Sequence, residues 1–339
     1  MFDERAELRR IGWTSEDEQH WSWNAPPARV VINHGSVCEV LDPAAGDEPR
    51  TVSVAGTLDR TPVAGDWVLV DDGRIREVAH RRTALSRPGA AGHAPQVMGA
   101  NIDTVLLVVP LEGGLNTGMV ERLSVMGWDS GAQPVLVLSK SDTTDDGGAA
   151  RAAEAEQLSP GVPVVPISTR TGDGLEQLRA HLGTGTTTVM LGPSGAGKTS
   201  LLNELEGTHE PVAALGRVGG RHTTTTRRLH RLAAGGVLLD IPGIRSLELS
   251  ASQEAVEDVF ADVARFAAEC RYGDCRHSGD GGCAVEEAVA DGRLPAARLS
   301  GWRKLQGEID YRRRRNDPAA MAEVRQQWKA VSKQARRNR

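Results

Sequence analysis

"VMLGPSGAGKTSLLNEL", residues 189–205, decides the fold. An apolar run stops at Gly192, the loop Pro193-Ser194-Gly195-Ala196-Gly197 follows, and an amphipathic stretch begins at Lys198-Thr199-Ser200. G-x4-G-K-[ST] between a strand and a helix is a phosphate-binding loop. Its backbone N–H groups and the helix N-terminus cradle phosphates, while Lys198 reaches the β- and γ-phosphates and Thr199 ligates Mg²⁺. Gly192 to Ser200 are therefore the expected phosphate site, with Lys198 and Thr199 as catalytic candidates. A chance glycine-rich turn would lack these flanks.

Downstream, "GVLLDIPG" (236–243) ends an apolar strand in Asp-Ile-Pro-Gly. Asp240, at a strand's C-terminal edge, is placed to hold Mg²⁺ directly or through water, and the Gly243 amide to sense a γ-phosphate. Between the two motifs lies "LGRVGGRHTTTTRRLHRL" (215–232). It reads as a mobile loop in which one threonine, assigned as Thr224, meets Mg²⁺ when a γ-phosphate is present; a Thr-rich strand is the alternative. Ile244 stands where Ras-like enzymes keep a water-positioning Gln, so slow intrinsic turnover is expected. His222 is the candidate for placing the water, against the reading of a solvated loop histidine.

Upstream, "PVLVLSKSD" (134–142) is an apolar strand that stops in Ser139-Lys140-Ser141-Asp142. In GTPases an Asn/Thr-Lys-x-Asp loop occupies this place, and its aspartate accepts from guanine N1–H and the 2-amino group. A buried acceptor left unpaired by adenine costs about 1–3 kcal/mol, one to two powers of ten in selectivity. Lys140 would lie along the base and Asp142 would read it, with Ser139 in place of the usual Asn or Thr. "PISTRTGDG" (166–174), with Ser168, fits the companion loop behind the base. The order is base loop, companion loop, phosphate loop, threonine loop, Asp-x-x-Gly: the parts of a GTPase with the chain started elsewhere in the circle.

The runs 104–109, 134–139, 162–168, 187–192 and 236–243 alternate with helical stretches, which predicts a mostly parallel sheet over about residues 100–248. Before it, five β-branched segments within 28–90 predict a small barrel of the oligonucleotide-binding (OB) type, although strand count does not separate it from an SH3-like barrel. Residues 1–27 show no period and read as an irregular lead-in. Residues 86–101, rich in Pro, Gly and Ala, read as a linker.

After 249 the pattern is helical around "CRYGDCRHSGDGGC", where Cys270, Cys275, His277 and Cys283 suit a closed tetrahedral Zn²⁺ site of structural kind. Cys38 stands alone and reads as a barrel core residue. From Gly301 onward twelve Lys and Arg face four Asp and Glu, a net +8; with the chain at −5, the first 300 residues carry −13. A basic end on an acidic body suits a polyanion, or alternatively a solvated helix. No apolar run approaches the ~20 residues of a membrane span, and "MFDERAELRR" has no signal-like apolar core, so a cytoplasmic protein away from membranes is expected.

The permuted order, "GPSGAGKTSL", "GRHTTT", Asp-x-Pro-Gly-Ile-Arg and C-x4-C-x-H-x5-C together resemble the ribosome small-subunit-dependent GTPase A family over nearly the whole chain. The resemblance implies a multidomain α/β protein: an OB barrel, a circularly permuted P-loop GTPase domain and a helical zinc domain. It further implies a monomer that binds the 30S subunit and its 16S rRNA late in maturation, is stimulated by them, and leaves after hydrolysing GTP to GDP and phosphate. A metabolic P-loop kinase or ATPase would share only the phosphate loop. An RNA-binding scaffold with a static nucleotide would share all but the turnover.

Overall fold

A computed structural model of the protein describes residues 4–46, 48–87, 96–206, 228–232, 235–240, 252–279 and 281–316. The chain divides into two compact units, residues 1–86 with 97–247, and residues 87–96 with 248–339. The barrel and the nucleotide sheet, read from sequence as successive segments, belong to the same unit.

The lead-in is not irregular. It forms helices α1 (Glu4–Arg10) and α2 (Ser15–His20), each too short to display a helical period. Thr14 and Asp17 close a capping box on α2, with the Asp17 carboxylate accepting from the Thr14 N–H at 2.9 Å. Leu8, Ile11 and Trp13 are buried in the main core, which holds the segment in place.

Strands β1 (Ala28–Asn33), β2 (Val37–Leu41), β3 (Arg50–Val54), β4 (Trp67–Asp71) and β5 (Arg74–Val78) close into a barrel of order β1-β2-β3-β5-β4. β3 and β5 pair in parallel while the other pairs are antiparallel. This Greek-key closure is the OB arrangement, which strand count alone could not give. Val30, Cys38, Val40, Val52, Val68 and Ile75 fill the interior.

The expected linker is partly a strand: β6 (Ala84–Arg87) pairs with β7 (Gln96–Ala100). Met98 and Ala100 of β7 are fully buried, and the Ala100 carbonyl lies where a Cβ on Gly65 would stand 2.2 Å away.

The large sheet comprises β8 (Thr104–Pro110), β9 (Gln133–Ser139), β10 (Val164–Pro166), β11 (Thr187–Leu191), β12 (Arg228–Arg231) and β13 (Val237–Asp240). Its order is β10-β9-β8-β11-β13-β12, all neighbours parallel except β12 with β13. Helices α3 (Thr117–Asp129), α4 (Ala149–Leu158), α5 (Leu175–Arg179) and α6 (Lys198–Glu206) connect these strands. Alternation along β8 sends Val105, Leu107 and Val109 to one core with Val120 and Leu123 of α3, and Leu106 and Val108 to another with Leu201 and Leu205 of α6. Both faces are covered, so the strands read as continuous apolar runs. β12 is the end of the segment read as a threonine loop; the rest of that loop, with His222 and Thr224, lies outside the described residues, as does Gly243.

The second unit contains helices α7 (Gln253–Val259), α8 (Ala261–Ala267), α9 (Ala284–Ala290) and α10 (Ala296–Asn316). Buried Phe260 links α7 to α8, and the guanidinium of Arg298 lies 4.2 Å from its ring centroid and 2.9 Å from the Asp262 carboxylate.

Candidate nucleotide site and metal centre

Every described residue expected to touch nucleotide lies at the C-terminal edge of the large sheet, where open α/β sheets bind ligands. β11 runs between β8 and β13, so the phosphate loop and Asp240 leave adjacent strands at the same edge. Gly192 opens the loop at φ 155°, and a Cβ there would stand 2.3 Å from the Val108 carbonyl of β8. Only glycine lets the loop lie this close to the neighbouring strand.

The Lys198 ammonium donates to the carbonyls of Gly192 (2.8 Å) and Pro193 (2.7 Å), folding back over its own loop. Burial pushes it below the usual lysine range, and the Asp240 charge holds it partly up. Burial likewise raises Asp240, opposed by His230 and Lys198 and reinforced by Glu206. His230 Nδ1 lies 2.6 Å from Glu206 Oε1. These two neighbours of Asp240 were not singled out in the sequence, because nothing in the spacing of α6 and β12 announces their meeting. The Thr199 hydroxyl and Asp240 carboxylate are hard oxygen donors of the kind Mg²⁺ takes, and a divalent cation would offset the desolvated charge of Asp240.

At the end of β9, the Ser139 hydroxyl donates to the Ala196 carbonyl at 2.6 Å, joining base loop to phosphate loop. Lys140 takes a left-handed backbone, φ 59°, and its ammonium pairs with the Glu112 carboxylate. The next amide, Ser141 N–H, donates to the Ile167 carbonyl at 3.0 Å, which fixes the turn. Asp142 accepts from the Ser168 hydroxyl (2.6 Å) and pairs with Arg170 (2.7 Å). The Ser168 bond, followed by Arg170, holds its carboxyl below the ordinary range. Ser168 also accepts from the N–H groups of Arg170 and Thr171, so the companion loop is built around its hydroxyl. Glu112 and Arg170 had no sequence signal beyond being charged residues in loops.

In the second unit the candidate ligand atoms of Cys270, Cys275, His277 and Cys283 all lie within 4.8 Å of one another. His277 Nδ1 is 3.5 Å from both Cys270 Sγ and Cys283 Sγ. Tetrahedral zinc with bonds of about 2.3 Å to sulfur and 2.05 Å to nitrogen implies an S···N edge of about 3.6 Å, so the donor set fits that ion. Cys283 is also the N-cap of α9, its sulfur accepting from the Glu286 N–H at 3.5 Å. Cys38 sits apart in the barrel core; burial, then the charge of Asp66, pushes its thiol up to about 11.

Comparison with known proteins identifies the family. The family model for RsgA GTPase matches residues 78–250. The "Small ribosomal subunit biogenesis GTPase RsgA" of Syntrophotalea carbinolica is 35% identical, covering 97% of each chain. That of Streptomyces coelicolor is 41% identical over 89% of this chain and 86% of its own. Among solved structures, YjeQ from Thermotoga maritima matches with TM-score 0.62 and 28% identity, over 84% of this chain and 98% of its own. YloQ, a circularly permuted GTPase, matches with TM-score 0.61 and 25% identity, over 85% of this chain and 96% of its own. The chain belongs to the RsgA GTPase family and is a circularly permuted GTP hydrolase.

Proposed function

We propose that the protein binds the 30S ribosomal subunit through its 16S rRNA, assists late maturation of that subunit, and leaves when GTP is hydrolysed to GDP and phosphate. The observation that carries this is the convergence of base loop, companion loop and phosphate loop on one sheet edge, in a chain whose relatives are named for small-subunit biogenesis.

Asp142 reads guanine: the N1–H and 2-amino donors take the carboxylate oxygens, and the exposed Arg170 gives way. Lys198 leaves its two loop carbonyls for the β- and γ-phosphate oxygens, which offer it stronger, charge-assisted partners. Thr199 and Asp240 hold Mg²⁺, which supplies neutralisation of phosphate charge when bound. Ser139 keeps the base loop in register with the phosphate loop. Thr224 and Gly243 sense the γ-phosphate and His222 places the attacking water. The zinc ion is structural, since all four of its ligands come from the protein.

The deciding experiment measures GTP hydrolysis by the purified protein alone and with 30S, 50S or 70S particles, with ATP as control. Stimulation by 30S alone is expected; no stimulation, or an ATP preference, overturns the reading. The basic end is tested by deletion from Asp317 onward, because residues from Gly301 belong to α10 and include buried Leu305. Weaker 30S binding with unchanged GTP affinity is expected, and equal 30S affinity would remove the tail from the interface.

A further inference from the structure

Among the described residues the exposed large aromatics are Tyr272 (50%) and Tyr311 (62%), the only two tyrosines in the chain. Each adjoins arginine: Arg271 precedes Tyr272, and Arg312 to Arg315 follow Tyr311. Tyr272 borders a surface recess of about 340 Å³, lined also by Asp274, Cys275, Arg276 and Gly281. The Arg271 guanidinium lies 5.4 Å from the Tyr272 ring centroid. The Arg271 N–H donates to the Gly282 carbonyl at 3.0 Å and the Cys275 N–H to the Tyr272 carbonyl at 3.2 Å. These two backbone bonds brace the loop that carries the recess, between the candidate zinc ligands Cys270 and Cys283. Among the described residues, neither Asp274 nor Arg276 is joined by a hydrogen bond or ion pair to a neighbouring side chain.

We propose that this recess is a binding site for an unpaired guanine of an RNA strand. A base is the planar apolar surface that an exposed, arginine-backed tyrosine accepts, and such stacking is the common mode of single-strand recognition. Arg271 and Arg276 supply the positive charge that phosphates need. Asp274 would repel a phosphate, so it faces a base edge that only donates. Guanine offers two adjacent donors there, N1–H and the 2-amino group, where adenine pairs its single amino group with an acceptor nitrogen that the carboxylate repels. The choice of RNA as partner rests on the ribosomal reading above; the guanine preference rests on the recess.

The test titrates fluorescein-labelled UUGUU and UUAUU RNA into the full-length zinc-loaded protein, followed by anisotropy. UUGUU is expected to bind about tenfold tighter than UUAUU. Tyr272→Ala should weaken UUGUU by about tenfold while Tyr272→Phe keeps wild-type affinity. Asp274→Asn should bring the two RNAs within about twofold. Equal wild-type affinity for the two RNAs overturns the site, as does undiminished UUGUU binding in Tyr272→Ala with its zinc retained. Stimulation by 30S is measured beside it. Stimulation without guanine preference removes the recess and leaves the ribosomal reading; guanine preference without stimulation keeps the recess and removes that reading.

Discussion

Ser139 shows how one atom can tie two loops. Its hydroxyl holds the Ala196 carbonyl, so Ser139→Ala leaves a buried acceptor with no donor, a loss of about 1–3 kcal/mol. The loss falls on loop geometry rather than on the base. Ser139→Ala should therefore weaken GTP and ATP alike, by roughly tenfold. Asp142→Asn should instead bring the two nucleotides together by one to two powers of ten, because the guanine donors lose their acceptor. Competition binding with both nucleotides checks the pair, and a changed GTP/ATP ratio in Ser139→Ala would contradict the division. Cys38 carries a pH prediction. Its folded thiol is raised to about 11 from an ordinary value of 9.0, so it stays protonated where the unfolded thiol ionises. The stability this contributes is whole below pH 9 and is lost as pH rises through about 11. Thermal melts of Cys38→Val should show a smaller alkaline loss over that window than the wild type.

At the scale of elements, α9 starts on a proposed zinc ligand, Cys283. Cys283→Ala removes the cap and, on the reading proposed above, a zinc ligand, and structural zinc free energy is folding free energy. Zinc content should fall from one to none, helical circular dichroism should drop, and GTP affinity should stay within about twofold, given a cap worth ~1 kcal/mol beside a much larger metal term. Full zinc content in the variant would refute the ligand assignment. The same scale shows what the sequence could convey. β8, β9, β11 and β13 were legible because both faces of the sheet are covered, and the start of the phosphate loop because Gly192 meets a fixed backbone at Val108. α1 and α2 were not, because helices of seven and six residues cannot show a period, and their burial depends on residues distant in sequence. β7 hid behind the small residues that let it pack. In the candidate site, the meeting of Asp142 with Ser168 was readable from loop order, whereas Arg170 and His230 lay unmarked within quoted loops, and the contacts of Glu112 and Glu206 join elements whose meeting no spacing announces.

Across the first unit, the barrel and the sheet are locked at the sheet edge opposite the phosphate loop. Fully buried Arg29 donates to the Ile11 carbonyl and to the Thr187 hydroxyl at 2.8 Å, and its guanidinium lies 4.6 Å from the Trp67 ring centroid. Burial lowers this arginine to about 10, with the charges of Asp103 and Asp17 opposing the drop. Arg82 bridges Asp17 and Asp103, and Asp103 accepts from the Thr187 N–H at 2.7 Å. Arg29→Ala leaves the Ile11 carbonyl and the Thr187 hydroxyl without this donor, so a loss of about 1–3 kcal/mol for each acceptor left unpaired is expected. Barrel and sheet should still melt in one transition, at a lower temperature; calorimetry resolving two transitions in the wild type would show that the lock does not couple them. The strand order has a consequence for synthesis on the ribosome. The chain emerges as β8, then β9, then β10, each adding to the free edge of the one before. β11 then docks on the other side of β8, and the β12–β13 pair closes the far edge. No strand has to wedge between two already paired, so the sheet can grow vectorially outward from its first-made strand.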